Sequence, residues 1–373
     1  MKYLFILGRN PKLSVAEVFA YLERTGNSME NYFVNKNALL VEVGETIEAG
    51  AVDSLGGVIG IGIVLASGNE QEIENKLDKQ EVYLGESNKL NYVIWDFSEE
   101  GIEEITLYLK KRFKNEKLKA TEKKLRPEME MQNGGKSGIV SSSNVNEQYF
   151  IFEDNLNRNY FGKIVQKCDY KTLEKRDMEK PVRRESLAIS PRLAKIMINL
   201  SGVKEGGRLL DAFCGIGVIL DEALLQELKI VGVDNDKKAI AGARENLKWF
   251  KFSKDDYDLI NNDSSKVAIS DVDVMVSEPD LGEVYRKIPT VKKAKEQLRE
   301  FEDLMVDVLN NLSGKISGKI VFTSPLIRTI KDRKGCNIDF ILERTGLKLV
   351  KGFPIDEFRG KQIVGRRIFV LEK

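Results

Sequence analysis

The chain has 373 residues, 42% hydrophobic and 31% charged, which is the composition of an ordinary globular protein. It contains no histidine and three isolated cysteines, so neither a metal site nor a disulfide framework is expected, and any catalytic base must be a carboxylate, lysine or tyrosine. No apolar run approaches the roughly eighteen residues that a membrane span needs, and a cytoplasmic protein without membrane contact is expected.

The charge is distributed unevenly along the chain, although its net value is only +1. Residues 1–100 carry 8 basic and 16 acidic side chains, whereas residues 101–185 carry 19 and 14. An electrostatic footprint for nucleic acid is therefore expected in the middle third. The length is large for a single domain and predicts two or three domains.

The N-terminal region has the pattern of a small α/β domain. The first apolar run is too short for a signal peptide, and residues 3–7 and 38–43 are interpreted as strands. Residues 14–25 are predicted to form a helix whose first residue is a serine N-cap, with Glu17 completing a capping box. Residues 1–65 show no recognisable chemistry.

A basic stretch follows the next strand. Residues 91–97 alternate as a strand, and the apolar spacing over 101–113 predicts a helix. The cations that we single out for RNA binding are Lys110, Lys111, Arg112, Lys114, Lys117 and Lys119. Such a cluster neutralises phosphates well, but a solvated helix face has the same composition, and both interpretations stay open. Further strands are predicted at 149–153 and 160–166.

A strand, a glycine-containing turn and a helix follow one another at residues 208–220. The turn carries two glycines that allow a ligand to approach the backbone, and the next strand, 229–233, ends at Asp234, where a ribose hydroxyl would be bound. Neither a third glycine nor a phosphate-loop motif is present. The string DAFCGIG followed by VGVD resembles motifs I and II of the class I S-adenosylmethionine-dependent methyltransferases.

This resemblance implies S-adenosylmethionine as the cofactor and a set of residues around it. Gly215 and Gly217 would flank the methionine part, and Asp234 would hold the ribose. A polar residue after the third strand binds the adenine amine in this class, which implies Asp263, although a plain turn aspartate is the alternative. The full set of expected cofactor-binding residues is Asp211, Phe213, Gly215, Gly217, Asp234, Asn235 and Asp263.

A more specific resemblance lies just before this turn. Residues 170–181, YKTLEKRDMEKP, precede a predicted helix that begins SPRLAKIMINL, with Ser190 as N-cap and Pro191 at its first position. Together these segments resemble the THUMP-containing tRNA guanosine-N2 methyltransferases of archaea and eukaryotes, whose target is the guanosine at position 10 of tRNA. The resemblance favours RNA contact by the basic stretch.

The same resemblance implies an α/β fold class with several domains. The expected parts are a ferredoxin-like domain at 1–65, a THUMP RNA-binding domain at 66–168, a linker at 169–189 and, at 190–373, a Rossmann-like methyltransferase domain with a seven-stranded, mostly parallel sheet. In the last domain, helices are predicted at 236–250, 292–312 and 337–344. Strands are predicted at 257–260, 272–277, 318–323 (closing at Ser324 and Pro325), 347–350 and 366–371, the last as an antiparallel edge strand.

The catalytic candidates are Glu278, Pro279 and Asp280, which follow the strand 272–277. Amino-methyltransferases carry [DN]-P-P-[YF] at this place, where an acid and a backbone carbonyl accept hydrogen bonds from the amine and an aromatic ring stacks on the base. Here glutamate replaces the first acid, Asp280 replaces the second proline, and Leu281 replaces the aromatic residue, with Tyr285 close enough to substitute.

Two hypotheses follow from this altered motif. The chain is either a working tRNA guanine-N2 methyltransferase or a catalytically silent RNA-binding scaffold, and the sequence favours the enzyme. Transfer to an amine of protein or DNA is disfavoured by the THUMP-like region. The sequence leaves open which nucleotide is modified, whether one or two methyl groups are added, and whether a small activating subunit is needed. The chain itself is expected to be a monomer.

A late basic patch of Arg359, Lys361, Arg366 and Arg367 either contacts RNA or lies on a solvated sheet edge.

Overall fold

The computed structural model contains two compact units. The residues it describes are 1–99, 103–132, 134–140, 144–184 and 189–373. The first unit comprises 1–15, 27–53 and 57–168, and the second comprises 16–26, 54–56 and 169–373, within these described residues. Each unit has a sheet of its own. None of the helices in the described part of the chain is both long and apolar enough to cross a membrane.

The N-terminal 168 residues contain strands β1–β10 and helices α1–α4 within the described ranges. The strands are β1 Lys2–Leu7, β2 Met29–Asn35, β3 Ala38–Val43, β4 Val58–Gly68, β5 Lys89–Phe97, β6 Lys119–Glu122, β7 Arg126–Glu130, β8 Lys136–Ile139, β9 Glu147–Glu153 and β10 Asn159–Lys167. The helices are α1 Pro11–Arg24, α2 Ala51–Ser54, α3 Glu70–Leu77 and α4 Glu103–Asn115.

Eight of these strands form one mixed sheet in the order β2-β3-β1-β4-β10-β9-β5-β6, while β7 and β8 pair separately. The strands predicted at 3–7, 38–43, 91–97, 149–153 and 160–166 are confirmed. The predicted division between 1–65 and 66–168 falls within this sheet, because β4 pairs with both β1 and β10. That subdivision stays a prediction.

Helix α1 begins earlier than the sequence pattern indicated. Pro11 occupies its first position and the Asn10 side chain accepts the N–H of Leu13 at 3.3 Å, so the N-cap predicted at Ser14 is wrong. Ser14 lies inside the helix and donates its hydroxyl to the Asn10 carbonyl at 3.0 Å. Glu17 is completely buried and accepts the N–H of Gly56 at 2.6 Å, so it has a tertiary role rather than a capping role.

Helix α4 confirms the predicted apolar stripe. Ile105, Leu109 and Phe113 are buried at helical spacing, and the lysines of the helix are exposed. Its predicted first residues, Gly101 and Ile102, lie outside the described residues.

The second unit is a doubly wound α/β structure. Its elements are α5 Tyr170–Glu179, α6 Pro191–Ser201, β11 Arg208–Asp211, α7 Val218–Leu224, β12 Lys229–Asp234, α8 Lys237–Trp249, β13 Tyr257–Asn261, β14 Val274–Ser277, α9 Val291–Leu312, β15 Ile320–Arg328, β16 Arg333–Gly335, α10 Ile338–Thr345, β17 Lys348–Leu349, β18 Ile355–Glu357 and β19 Val364–Glu372. The strand order is β13-β12-β11-β14-β15-β19-β17, with β16 paired to β15 and β18 paired to β19.

The sheet is parallel from β13 to β15 and antiparallel at β19, as the sequence predicted. Strand β19 is not an edge strand, however, because β17 and β18 pair with it on the side away from β15. Strand β15 also continues past its predicted end at Pro325 to Arg328. Its parallel neighbour β14 pairs only with residues 320–322, so the missing N–H of the proline interrupts no ladder there.

The direction of chain winding reverses at β11, whose neighbours β12 and β14 carry the chain to opposite sides of the sheet. A crevice opens at the carboxyl ends of the strands at such a point. The helix starts predicted on this unit are confirmed: Ser190 caps α6, with Pro191 as its first residue, and Asp236 caps α8.

Candidate functional site

A cavity of about 700 Å³ lies at the carboxyl ends of β11, β12 and β14. Its size is within the range of small-molecule and cofactor sites. The loops after β11, β12, β13 and β14 form most of its wall, and the segment that leads into β19 closes one side. The structure thereby brings together most of the residues that the sequence predicted for the site, namely Asp211, Phe213, Gly215, Asp234, Asn235, Asp263, Glu278, Pro279 and Asp280.

Both glycines of the turn after β11 have a positive φ, but only the first of them lines the cavity. Gly215, with φ 53°, lines the cavity, and its N–H donates to Asp234 Oδ2 at 2.8 Å. Gly217, with φ 94°, is the residue before α7 and is not among the residues that line the cavity. The positive φ is the reason for glycine at this position, because a Cβ at Gly217 would meet the Cβ of Ala243 only at an ordinary contact distance of 3.4 Å.

Asp234 joins the end of β12 to this turn. Besides the N–H of Gly215, its carboxylate accepts the N–H of Asp236 on Oδ1 at 2.8 Å. A carboxylate offers about four acceptor sites, so two are left for further donors in the cavity. Asp234 is thus both preorganised and able to accept the two hydroxyls of a ribose.

Asp263 lies in a turn and also lines the cavity. Its Oδ1 accepts the N–H and the hydroxyl of Ser265 at 2.9 and 2.8 Å, and its Oδ2 lies 3.3 Å from the ammonium of Lys266. These hydrogen bonds, chiefly the one from the Ser265 backbone, lower the pKa of Asp263. The turn role that the sequence offered as an alternative is therefore present, and the adenine role stays a prediction.

Asp211 is the deepest carboxyl of the cavity wall. It is 1% exposed and accepts the N–H of Phe213 at 3.1 Å. Burial raises the pKa of Asp211 to about 7, and the nearby negative charges of Asp234 and Glu278 add to this increase.

Asp211 is expected to make the protein less stable as the pH rises from about 4 to about 7. In this window the carboxyl stays protonated in the folded chain but ionises in the unfolded chain, so the folded state binds more protons. The pKa increase from 3.8 to about 7 corresponds to roughly 4 kcal/mol. Asp211→Asn should remove this part of the pH dependence, measured by urea unfolding between pH 4 and 8. Parallel curves for the two proteins would contradict the assignment.

Glu278 is held by a pair of groups from distant strands. Arg366 on β19 donates Nε to Glu278 Oε1 at 2.5 Å and Nη2 to Oε2 at 3.1 Å, and Thr323 on β15 donates to Oε1 at 3.3 Å. The side chains of Glu278 and Arg366 are only 8% and 17% exposed. Burial lowers the pKa of Arg366, but the adjacent Glu278 carboxylate more than offsets this and leaves the pKa above its ordinary value.

The four residues of the late basic patch have different environments. Arg366 lines the cavity, whereas the next residue, Arg367, points to the other face of the sheet and pairs with Asp356 at 2.6 and 3.0 Å. Arg359 and Lys361 are exposed on the loop before β19. Sequence reasoning missed the role of Arg366, although its alternation with Arg367 along a strand was a usable signal.

The loop after β14 is fixed by Gln297 on α9. Its Nε2 donates to the carbonyl of Leu281 at 2.6 Å, and its Oε1 accepts the hydroxyl of Tyr285 at 2.5 Å. Tyr285 lines the cavity and thus supplies an aromatic ring near the position where Leu281 lacks one. Asp280 is exposed at the cavity wall, and its Oδ1 accepts the N–H of Gly282 at 2.9 Å.

The residues predicted to bind RNA lie in the first unit and differ in availability. Arg112 is bound within the fold, because it donates to the carbonyls of Leu77 and Gln80 and pairs with Glu116. Lys110 pairs with Glu122 at 3.0 Å. The exposed cations of the set are Lys110, Lys111, Lys114, Lys117 and Lys119.

Comparisons with known proteins agree with this geometry. A family model described as an RMKL-like methyltransferase domain matches residues 181–322. A tRNA (guanine(10)-N2)-dimethyltransferase of Methanothermobacter thermautotrophicus is 39% identical over 117 residues, which cover 31% of this chain and 34% of that protein. A probable tRNA (guanine(10)-N2)-dimethyltransferase of Methanothermococcus thermolithotrophicus is 31% identical over 140 residues, which cover 36% of this chain and 79% of that protein. The crystal structure of TrmN from Thermus thermophilus aligns over 100% of both chains with a TM-score of 0.54 at 15% identity, which shows a shared fold.

A mostly parallel sheet with a glycine turn after β11 and an acidic residue at the end of β12 is typical of the class I S-adenosylmethionine-dependent methyltransferase fold, to which this domain belongs. The chain belongs to the family of the archaeal tRNA (guanine(10)-N2)-dimethyltransferases. Its alignments span 34% and 33% of the length of two curated relatives, those from Methanothermobacter thermautotrophicus and Methanocaldococcus jannaschii.

Proposed function

We propose that this chain transfers a methyl group from S-adenosylmethionine to the N2 amine of a guanosine in tRNA. The observation that carries the proposal is the position of Glu278, which follows the central strand β14 and lines the same cavity as the glycine turn and Asp234. Family membership supports the same reaction, and the name of the matched relatives supports position 10 as the target.

The cavity residues fit S-adenosylmethionine by their chemistry. Asp234 has acceptor capacity for two hydroxyls, and Asp263 offers a fixed carboxylate for an exocyclic amine. Burial favours the neutral form of Asp211, and a cationic ligand in the cavity would help this carboxyl to ionise. Gly215 leaves the backbone open to close approach, the positive φ of Gly217 lets the turn lead into α7, and Phe213 and Asn235 complete the wall. When bound, the cofactor supplies an electrophilic methyl group on a sulfonium.

The protein groups would then orient the target amine. The lone pair of a guanine amine is delocalised into the ring, and acceptors placed around its N–H bonds favour the attacking form. Arg366 and Thr323 together occupy two acceptor sites on Oε1 of Glu278 and one on Oε2, which leaves Oε2 able to accept one amine N–H. We propose the Pro279 carbonyl as the second acceptor and Asp280 as a supporting one. Tyr285 would supply the ring that stacks on the base.

The degenerate-scaffold hypothesis is less well supported. The residues that differ from the usual motif are held in place by other groups. Arg366 donates two hydrogen bonds to the longer Glu278 side chain, and Gln297 donates one to the loop carbonyl of Leu281. We further propose that residues 66–168 are a THUMP-type RNA-binding domain and that the chain works in the cytoplasm as a monomer.

The deciding experiment is incubation of the purified chain with labelled S-adenosylmethionine and unmodified tRNA, followed by nucleoside analysis and mapping of the label. We expect N2-methylated guanosine at position 10. Labelling that appears only after addition of a cell fraction would indicate an activating subunit. Binding of both ligands without any transfer would favour the scaffold hypothesis.

The exposed lysines on and after α4 are expected to contact tRNA phosphates without reading bases. Replacing Lys111, Lys114 and Lys119 by Ala should weaken tRNA binding about tenfold and reduce the slope of log affinity against log salt by about 2. Arg112 is left intact, because its substitution would also remove contacts within the fold. Arginine at the same three positions keeps the charge and should retain the slope. An unchanged slope for the alanine variant would identify a merely solvated surface.

A further inference from the structure

Strands β15 and β16 form a hairpin. Its turn is closed by hydrogen bonds between Thr329 and Asp332: the Thr329 N–H donates to the Asp332 carbonyl at 2.7 Å, and the Thr329 hydroxyl donates to Asp332 Oδ1 at 2.8 Å. The two residues at the tip, Ile330 and Lys331, are both exposed. Ile330 is 88% exposed, the highest value among the exposed large hydrophobic side chains of the described residues.

This hairpin is attached to the loop that closes the cavity. The Arg328 N–H donates to the carbonyl of Ile363 at 2.8 Å, and its guanidinium donates to the carbonyl of Gly360 at 3.2 Å. Arg333 donates to the carbonyl of Gln362 at 2.7 Å. Gln362 and Ile363 line the cavity, so the loop forms one side of its mouth, and the hairpin is bound directly to that loop.

The charge of this side of the mouth is strongly positive. Residues 328–334 and 358–363 carry six basic side chains and one carboxylate, that of Asp332. Asp332 is already bound by Lys334 at 2.7 Å and by the Thr329 hydroxyl. Lys331, Arg359 and Lys361 are exposed, so their charges face solvent around the entrance.

We propose that these residues form an RNA-binding rim, defined as the hairpin tip 330–331 together with the loop 359–361. In this proposal Lys331, Arg359 and Lys361 contact phosphates of the strand that carries the target nucleotide. Ile330 packs against the base stack next to it.

The proposal rests on the function proposed above, because a guanine amine inside a helix reaches a cavity only when its nucleotide is turned out of the stack. Cations that hold the flanking phosphates and an apolar side chain against the exposed neighbouring base are the groups that stabilise such an arrangement.

The charge part is tested with the triple variant Lys331→Ala, Arg359→Ala, Lys361→Ala. The affinity for unmodified tRNA is measured at several salt concentrations. It should be at least tenfold weaker at about 0.1 M salt, and the slope of log affinity against log salt should be reduced by about 2. The matched control is Lys229→Ala, Lys248→Ala, Lys254→Ala, three exposed lysines at or before the amino ends of strands β12 and β13. The control should keep most of the slope. Equal slopes for the two triple variants would overturn the proposal.

The apolar part is tested with Ile330→Ser against Leu225→Ser, whose leucine is exposed at the far end of α7. Ile330→Ser should lower the single-turnover methylation rate about tenfold at saturating tRNA, with an unchanged salt slope and unchanged S-adenosylmethionine affinity. Equal rates for both serine variants would remove Ile330 from the rim.

Failure of the rim and failure of the proposed reaction give different results. Binding of tRNA is measured without methyl transfer. The rim variant would therefore have a smaller salt slope than the control variant even if the protein methylated no guanosine. Conversely, normal methylation of guanosine by the wild-type protein, with rim variants that bind like their controls, would overturn the rim alone.

Discussion

Replacing Glu278 by Gln is expected to lower the rate of methyl transfer by a hundredfold or more, while S-adenosylmethionine and tRNA still bind. The amide keeps the size of the side chain but has one acceptor oxygen and no negative charge. That oxygen already accepts hydrogen bonds from Arg366 and Thr323, so no acceptor is left for the amine of the base. The loss corresponds to roughly 3 kcal/mol of transition-state stabilisation.

The measurement is a single-turnover rate at saturating concentrations, with both affinities determined separately. Asp280→Asn is the comparison within the same loop and should have a much smaller effect, because Asp280 is exposed and already accepts a loop N–H. Glu278→Asp restores the residue usual in this motif, yet the shorter side chain would pull away from Arg366, so we expect partial activity. Full activity of Glu278→Gln would show that the amine is held elsewhere.

The parts of the site that the sequence predicted well are those encoded by neighbouring residues. The turn with Gly215 and Gly217 is a local backbone requirement, with both residues at positive φ, and Asp234 follows a short buried strand. Because the parallel strands end at the same edge of the sheet, one prediction of fold class places these residues and Glu278 around one crevice.

The parts that it did not predict depend on pairing between distant strands. Arg366 is 88 residues from Glu278, and their contact exists only because β19 runs antiparallel beside β15, with Arg366 opposite Pro325. Strand β17 lies within the strand predicted at 347–350, but nothing local in the sequence shows that it pairs with β19. Strand β18 has only three residues, too few for alternation to reveal, so β19 was predicted to be an edge strand.

Tertiary contacts also explain why the capping box at Ser14 and Glu17 was wrong and why the predicted RNA-binding set included a residue bound within the fold. Ser14 and Glu17 have the spacing of a capping box, but tertiary burial of Glu17 gave that carboxylate a different partner. In the basic stretch, charge alone could not separate Arg112, which holds two carbonyls of the fold, from the exposed lysines beside it. Composition predicts where positive charge accumulates, whereas availability depends on tertiary contacts.

Replacing Arg366 by Met is expected to reduce both stability and turnover. The Glu278 side chain is only 8% exposed, and without Arg366 its carboxylate would keep Thr323 as its one protein donor among the described residues. Removing one partner of a buried ion pair costs about 3 kcal/mol, at the lower end of the usual range since the cavity admits water. Turnover should fall about as far as in Glu278→Gln, with S-adenosylmethionine affinity unchanged. Urea unfolding and single-turnover rates measure the two effects.

The neighbouring variant Arg367→Met is the matched control. Its ion pair with Asp356 lies on the other face of the sheet and is more exposed, so it should cost at most about 1 kcal/mol and leave turnover intact. Adding Glu278→Gln to Arg366→Met should restore most of the lost stability, because no unpaired carboxylate remains, without restoring turnover. If Arg366→Met instead proved as stable and as active as Arg367→Met, the guanidinium would neither hold Glu278 in place nor compensate for the longer side chain. The amine would then have to be oriented by the Pro279 carbonyl and Asp280.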